Sequence, residues 1–195
     1  MTLIQTLRAL AGAFALAGTV IAATLSTAYG ADDAGAVPRE KMAAFAAMAG
    51  TWTTRSRFTP DKGLTWQEGP PETVDVSLRQ RGLALYERPR TPDGPGFHVE
   101  SHLTWDQYRN VYRLAAIDDN WGLMDIYEGM LDGNRLILTN LKSGTGFPTE
   151  DGGMLNFRLT YTVDRDMRTM TVEASSDAGA NWFDYYHISY ERVES

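Results

Sequence analysis

The chain lacks cysteine, with none among its 195 residues. Disulfide bonds, thiolate nucleophiles and cysteine-ligated metal sites are therefore excluded. There are only three histidines, and neither a Gly-x-Ser-x-Gly nucleophile elbow nor a phosphate-binding glycine loop occurs. The formal net charge is −7, and the basic residues are scattered rather than clustered. We therefore expect no binding to nucleic acid or to anionic membrane surfaces.

Charge is almost absent from the first thirty residues, in which Arg8 is the only charged side chain. The apolar run 9–25 follows, and small residues stand at the two positions that a signal peptidase reads before Ala31. We therefore expect residues 1–30 to be a signal peptide, and the mature protein to be periplasmic or secreted and free of the membrane after cleavage. The alternative is an uncleaved membrane anchor, for which this run is slightly short, since a spanning helix needs about 20 residues.

One β-rich domain is predicted over residues 39–195, after a flexible leader of small and polar residues at 31–38. Residues 39–49 are rich in alanine and carry apolar side chains spaced by threes, which predicts a short amphipathic helix that ends at Gly50. The remainder of the chain alternates short apolar runs with turn residues, as is typical of strands joined by tight turns.

About ten strands are predicted from these runs. They lie near residues 51–59, 72–80, 83–89, 96–106, 110–118, 122–131, 135–141, 155–164, 168–175 and 182–193. Short links join antiparallel neighbours, and closure of the sheet into a barrel removes exposed strand edges. We therefore expect an all-β fold, an up-and-down antiparallel barrel with one short N-terminal helix and no second domain.

Two short motifs bracket the predicted barrel. Gly50-Thr51-Trp52 stands directly after the helix, and Tyr190-Glu191-Arg192 ends the last strand. This pairing resembles the calycin superfamily, whose lipocalin-like barrels have a first-strand Trp near the base and a basic side chain from the last strand lying across it. The resemblance implies a calycin-like barrel in which Arg192 covers the indole face of Trp52. Both roles are structural.

More of the chain is similar to a bacterial family catalogued as domain of unknown function 1579. The order and spacing of five segments carry this resemblance, which spans nearly the whole mature chain. The segments are 48–52, 105–108, 127–129, 175–182 and 190–192. Met48 stands where that family more often has Leu. Because the activity of that family is not established, the resemblance implies a fold rather than a function.

Residues 175–182 also resemble the Asp-box of sialidase propellers, with Asn181 where Thr is usual. In that motif the Ser and Asp side chains bond to turn amides while the Trp packs beneath. A propeller needs regular repeats, so a single copy predicts a hairpin instead.

His98, Glu100 and His102 form a His-x-Glu-x-His pattern that suggests a metal site. On a strand, residues four apart are separated by about 13 Å at about 3.3 Å per residue. Both imidazoles are then too far apart to reach one zinc ion at about 2 Å. We therefore predict no metal site, and we expect these three side chains to face solvent, opposite Leu103 and Trp105.

His187 lies in the run 182–190, which is aromatic on both faces, so periodicity does not decide which face is inward. The nitrobindins, haem-binding ten-stranded barrels of the same superfamily, use a last-strand histidine as the axial ligand. Aligned on the terminal Tyr-x-Arg, that ligand position holds Tyr185, and the nitrobindin glycine-rich signature is missing after Trp52. We therefore expect no cofactor, and His187 to be an ordinary hydrogen-bonded barrel residue.

Aromatic residues make up 11% of the chain and concentrate on the predicted strands, where they are suited to lining a closed cavity. We therefore expect an exported barrel that binds a small, largely apolar ligand; no oligomeric state is predicted. The expected lining residues are Trp105, Tyr112, Tyr127, Tyr161, Tyr185 and His187. If these rings only fill the core, the protein is instead a structural envelope protein.

A cofactor-free isomerase, cyclase or lyase is the remaining alternative, because a dry pocket can hold a histidine or a carboxylate at a useful pKa. This hypothesis needs an inward acid or base, and His187 and Asp125 are the candidates. Three carboxylates, those of Asp125, Glu128 and Asp184, lie in aromatic-rich strands, and each is expected to point outward. An interior cavity lined by a titratable group would separate the enzyme from the other classes.

Overall fold

The computed structural model describes residues 33–92, 94, 96–163 and 167–194. The chain divides into one unit of residues 1–36 and a second, compact unit of residues 37–195. In the described part of the first unit, the Ala36 N–H donates to the Asp33 carbonyl and closes a turn. The predicted signal peptide lies outside the described residues. Within the described ranges, no helix is long and apolar enough to cross a bilayer.

Helix α1 (Ala36–Met42) is followed directly by a 3-10 helix (Ala43–Met48). Helical structure thus begins three residues before the predicted start and includes the end of the predicted leader. A proline in the first turn of α1, where backbone N–H groups lack helical partners anyway, permits this earlier start. Apolar side chains three residues apart share one face of a 3-10 helix, and Phe45 and Met48 are both buried there.

Twelve strands occur in the described residues, and ten of them match the predicted strands to within three residues at each end. In chain order they are β1 (Gly50–Phe58), β2 (Gln67–Glu68), β3 (Glu72–Arg79), β4 (Ala84–Pro89), β5 (Val99–Asp106), β6 (Val111–Asp118), β7 (Met124–Asp132), β8 (Arg135–Thr139), β9 (Phe147–Pro148), β10 (Met154–Thr162), β11 (Met167–Ser175) and β12 (Phe183–Arg192). The two additional strands, β2 and β9, have two residues each and lie between predicted strands.

The ten long strands form a closed antiparallel barrel. Their order around the barrel is β1-β3-β4-β5-β6-β7-β8-β10-β11-β12, and β12 pairs with β1 to close it. Every long strand therefore has a partner on both sides, and none is left as an exposed edge. The predicted fold, an all-β, up-and-down, calycin-like barrel with one short helix, is confirmed.

We call the end of the barrel where β1 begins and β12 ends the base, and the opposite end the mouth. The 3-10 helix covers the base: the ring of Phe45 packs edge-on against Tyr112 at 5.2 Å, and the Tyr112 hydroxyl donates to the Lys41 carbonyl at 3.1 Å. Inward side chains near the base, such as Trp52 and Leu136, are almost completely buried. The base is therefore a filled hydrophobic core.

Candidate functional site

Trp52 closes the base from inside the barrel. Its side chain is fully buried, and its indole Nε1 donates to the Met48 carbonyl at 2.9 Å. The guanidinium carbon of Arg192 lies 4.2 Å from the indole ring, and Arg192 also donates to the carbonyls of Ala47 and Ala49. This is the arrangement that the calycin resemblance implies, a cation against an indole face.

A second arginine, Arg168 on β11, lies on the interior side of Trp52. Its guanidinium carbon is 5.7 Å from the Trp52 ring and 3.5 Å from the Tyr190 ring. Its Nη2 donates to a Glu87 carboxylate oxygen at 2.5 Å, and the Tyr190 hydroxyl donates to the other oxygen at 3.1 Å. Sequence reasoning missed this group, although Arg168 shares the parity of the inward residue Val172 on the same strand.

The Arg168 guanidinium stays charged although it is buried. Arg168 has no exposed surface, and burial by itself lowers the pKa of its guanidinium. Attraction to the Glu87 carboxylate outweighs burial and raises that pKa above its usual value. Arg168 is therefore a cation at any physiological pH, and it and Glu87 form a neutral pair inside the barrel.

The hydroxyl of Tyr161 on β10 faces the same region. Burial raises the pKa of Tyr161, and the negative charge of Glu87 raises it further, so the phenol stays protonated. Within the described part of the chain, neither its hydroxyl nor the Nε and Nη1 atoms of Arg168 have a hydrogen-bond partner. Together with Tyr190, these residues form what we call the interior polar cluster: Glu87, Tyr161, Arg168 and Tyr190.

At the interior polar cluster and toward the mouth, several side chains that face the barrel axis are accessible to solvent. Strand register places a set of side chains inward there that nevertheless keep solvent-accessible surface. They are Ser56, Ser101, Ala116, Tyr161, Met170, Tyr186 and Ile188. Several are small, and a small side chain facing the barrel axis leaves space that a large one would occupy. Trp52 and Leu138, by contrast, are fully buried.

The six predicted lining residues fall into three groups. Trp105 and Tyr112 face inward at the base, where their rings pack edge-on at 4.7 Å and are buried. Tyr127 also faces inward and is buried, and burial strongly raises the pKa of its hydroxyl. Tyr161 belongs to the interior polar cluster. The structure therefore brings Tyr127 and Tyr161 toward the middle of the barrel, while Trp105 and Tyr112 contribute to the core at the base.

Tyr185 and His187, the third group, lie on different faces of β12, because the register with β11 shifts between Val172 and Glu173. The Tyr185 ring lies 5.3 Å from that of the inward residue Phe157, at the mouth. His187 faces outward instead.

The surroundings of His187 are those of an outer-wall residue. It pairs with Arg57 across the strands, its ring packs edge-on against Trp66 at 4.7 Å, and its Nε2 lies 3.3 Å from an Asp184 oxygen. His187 is thus a hydrogen-bonded residue of the barrel wall, and its ring does not reach the interior.

Aromatic rings line one side of the mouth in a continuous row. Successive centroids are 5.8, 5.5, 5.5 and 5.3 Å apart along Phe97, Trp121, Phe147, Phe157 and Tyr185. Trp121 is two-thirds exposed, whereas Phe157 is buried. Phe97, Trp121 and Phe147 lie outside the long strands. Strand alternation therefore does not predict which way their rings point. The row therefore gives an apolar path from the surface to the interior.

The prediction for Asp125 is wrong, because this carboxylate points inward and is buried. It shares the inward parity of Tyr127 on β7, a parity that the sequence left undecided. Both its oxygens accept from the Asn140 amide, at 3.0 and 3.2 Å, and one also accepts from the Thr145 hydroxyl. The carboxylate therefore fixes a loop to the barrel wall. Glu128 faces outward as predicted and pairs with Lys142 at 3.0 Å.

The prediction for His98 is also wrong, because its side chain is buried. His98 precedes β5, so strand alternation does not govern its direction. Its Nδ1 lies 2.6 Å from a Glu72 oxygen and its Nε2 lies 3.1 Å from the Gly94 carbonyl. Burial lowers the pKa of His98, but these hydrogen bonds and the charge of Glu72 raise it overall. Glu100 and His102 lie on the outer face of β5, as predicted.

Residues 175–182 form the turn between β11 and β12 at the mouth. The Ser175 hydroxyl donates to Asp177 at 2.7 Å and accepts the Gly179 N–H at 2.8 Å. Asp177 accepts the backbone and side-chain N–H groups of Asn181 at 2.9 and 2.7 Å, and these bonds hold the pKa of Asp177 at about 2. The motif thus has the hairpin role that the Asp-box resemblance implies.

The motif occurs twice in the part of the chain that the structure describes, contrary to the single copy expected from the sequence. Residues 59–66 read Thr-Pro-Asp-Lys-Gly-Leu-Thr-Trp and join β1 to β2 at the mouth. Thr59 donates to Asp61 at 2.9 Å and accepts the Gly63 N–H at 2.7 Å, and Asp61 accepts both donors of Thr65 at 2.7 Å. Alignment on the shared Asp-x-Gly-x-x-Trp spacing would have revealed this copy, which has Thr in place of the first Ser.

Two open depressions of about 490 and 460 Å³ lie on the outer wall across β5, β6 and β7 and share Arg113 and Ile126. The charged side chains there have acidic neighbours: Arg113 lies 3.7 Å from Asp106, and Lys142 pairs with Glu128. Both basic side chains are therefore already paired with carboxylates.

A ten-stranded antiparallel barrel, closed at its base by a tryptophan that contacts two arginines, defines a calycin-like β-barrel protein. The chain belongs to the family of proteins of unknown function DUF1579, whose family model matches residues 37–192. A search of the curated proteins finds no match. The family membership agrees with the resemblance in the sequence and establishes no activity.

Proposed function

We propose that this protein, once exported, binds a small, largely apolar ligand inside the barrel, between the interior polar cluster and the mouth. The observation that carries the proposal is the contrast between the filled base and the accessible inward side chains above it. A ligand in this space would contact Ala116, Met170 and Ile188, which are apolar, and would be shielded from water by the barrel wall. The row of aromatic rings at the mouth supports entry from that end.

The placement of the candidate acids and bases favours binding over catalysis. His187 faces away from the interior, and Asp125 has its oxygens occupied by Asn140 and Thr145. Neither group is available to a ligand in the barrel as a general base, which must lie within hydrogen-bond reach of the proton it removes.

The proposal is tested by fluorescence titration with N-phenyl-1-naphthylamine, an uncharged apolar probe. We expect saturable enhancement with one probe per chain. Ala116→Phe places a ring in the proposed space. This should weaken probe binding at least about tenfold, because the new ring and the probe together would overpack that space. Ala115→Phe is the matched control, because Ala115 faces the opposite side of the same strand.

Absence of saturable binding by the folded wild-type protein would contradict the proposal and favour a barrel with a filled, purely structural interior. Equal probe binding by both variants would also contradict it, because the probe would then lie elsewhere on the molecule. Urea unfolding of each variant confirms that the comparison is made between folded proteins.

A further inference from the structure

The interior polar cluster has hydrogen-bonding capacity that the protein itself does not use. The Tyr161 hydroxyl has no partner within the described ranges, and Tyr161 keeps accessible surface although it faces inward. The Glu87 side chain is 18% exposed, and strand register with Val76 and Ser101 directs it inward. Each Glu87 oxygen accepts one hydrogen bond, from Arg168 or from Tyr190, and a carboxylate oxygen can accept a second. A phenol donor and a carboxylate acceptor are therefore both available at the floor of the proposed ligand space.

Arg168 lies behind these two groups and sets their charge. It has no exposed surface, so a ligand meets Glu87 and Tyr161 rather than the guanidinium. Its ion pair with Glu87 makes the floor of the space neutral overall. Its unpartnered Nε and Nη1 atoms add positive potential to the same region.

We propose that the ligand is an uncharged apolar molecule with a hydroxyl group, which donates to the Glu87 carboxylate and accepts from the Tyr161 hydroxyl. This inference rests on the proposed function and specifies its ligand class. A hydroxyl is the smallest group that donates and accepts at once, so it satisfies both protein groups. Leaving either one unsatisfied when an apolar ligand displaces water would weaken binding.

The charges of Glu87 and Arg168 disfavour a charged ligand, whether a carboxylate or an ammonium. A ligand carboxylate would add a second negative charge beside Glu87, in a region where Arg168 already balances the first. A ligand ammonium would add a second positive charge beside Arg168. Either ligand ion would lose its hydration without gaining a counter-ion that is not already paired, which is costly inside a protein. An ether or a ketone has no proton to donate to Glu87.

The test measures displacement of N-phenyl-1-naphthylamine by three ligands of equal chain length: decan-1-ol, decyl methyl ether and decanoate, all at pH 7. We expect decan-1-ol to displace the probe at a concentration about tenfold lower than either of the others, as one hydrogen bond with a charged group allows. In Tyr161→Phe the affinity for decan-1-ol should fall by about three- to tenfold, because the ligand oxygen loses its donor, and the affinity for the ether should fall with it. Tyr86→Phe is the matched control, because its hydroxyl bonds to Glu100 on the outer wall at 2.9 Å.

The outcomes separate the two proposals. If the probe itself does not bind, the proposed function fails. If the probe binds but decan-1-ol binds no more tightly than the ether, or Tyr161→Phe binds decan-1-ol as tightly as Tyr86→Phe does, the ligand class is wrong while binding in the barrel stands. Tighter binding of decanoate would overturn the neutral-hydroxyl assignment in favour of a carboxylate ligand.

Discussion

Trp52 connects the base of the barrel to its interior. Its indole has a guanidinium on each side, that of Arg192 at 4.2 Å and that of Arg168 at 5.7 Å. The outer arginine bonds to the end of the 3-10 helix, and the inner one bonds to Glu87. One side chain therefore contacts both the structure that closes the barrel and the polar cluster proposed to receive the ligand.

At this residue scale we expect Trp52→Ala to lower the free energy of unfolding by about 3–5 kcal/mol, because it leaves a large cavity in a filled core. Arg192→Ala should cost about 1–2 kcal/mol, because the indole and its own hydrogen bond to Met48 remain. Urea unfolding of both variants measures this. Trp121→Ala is the control: Trp121 is two-thirds exposed and its loss should be small. Equal, negligible losses for Trp52 and Arg192 would contradict the role assigned to the base.

The ion pair inside the barrel gives a second prediction. Glu87→Gln leaves the Arg168 cation buried without a counter-charge and should cost about 3–5 kcal/mol. The double variant Glu87→Gln/Arg168→Met removes both charges and should be more stable than Glu87→Gln alone. Urea unfolding of the single and double variants measures the coupling.

The matched control for this ion pair is Glu173→Gln on the outer wall. Glu173 pairs with Arg158 at 2.6 Å, but both side chains are partly exposed. Breaking a solvent-screened pair should cost about 1 kcal/mol or less. A loss for Glu87→Gln no greater than for Glu173→Gln would show that the interior pair is screened by water.

At the scale of elements, the two Asp-boxes determine how neighbouring strands turn at the mouth. Each turn is held by a carboxylate that accepts several N–H and hydroxyl donors from its own loop. The first turn is also joined to β12, since the Thr59 N–H donates to the Tyr185 carbonyl at 3.0 Å. The mouth is therefore bordered by rigid turns on the side where β12 carries its bulge.

The Asp177 carboxylate in one of these turns makes the free energy of unfolding depend on pH. Hydrogen bonds from Asn181 and Ser175 lower the pKa of Asp177 from an ordinary 3.8 to about 2. A lowered folded-state pKa contributes stability above about pH 4, and this contribution is lost as the pH falls toward 2. We expect the urea midpoint to fall less between pH 5 and pH 2.5 in Asp177→Asn than in the wild type. Asp132→Asn, in an exposed turn, is the control and should keep the wild-type fall; an equal fall in all three proteins would refute the assignment.

At the scale of the whole molecule, we expect the exported protein to begin near Ala31. The apolar run and the small residues before Ala31 are the reason for this expectation. Intact mass of the protein recovered from its own host tests it. A full-length chain retained in the membrane would contradict it.

The barrel as a whole should not form a specific haem complex. His187 faces the outer wall against Trp66, and Tyr185 lies at the mouth beside Phe157. We expect no stoichiometric Soret band when haemin is added to the protein. A band lost in His187→Ala would contradict the outward placement of His187, and one lost only in Tyr185→Phe would place iron at the mouth.

Strand positions and the barrel class followed from the sequence, because alternation and tight-turn residues are local properties. Trp52 and Arg192 were also predictable, through the motifs that bracket the barrel. His98 and Asp125 were not: His98 lies just outside a strand, and both directions of Asp125 were compatible with its aromatic neighbours. Of the candidate lining residues, Tyr161 lies in the interior, whereas His187 lies on the opposite face of the wall.

Local sequence patterns alone specified the order and approximate bounds of the ten long strands and of the short helix, whereas the two-residue strands β2 and β9 and the second Asp-box were missed. The inward face of β12 depends on its pairing with β11, because a bulge at Tyr185 breaks the alternation that a sequence pattern assumes. Only closure of the barrel brought Glu87 and Arg168 together, 81 residues apart in the chain. Contacts between distant strands depend on register around the whole barrel, and register is a property of the closed sheet rather than of any one segment.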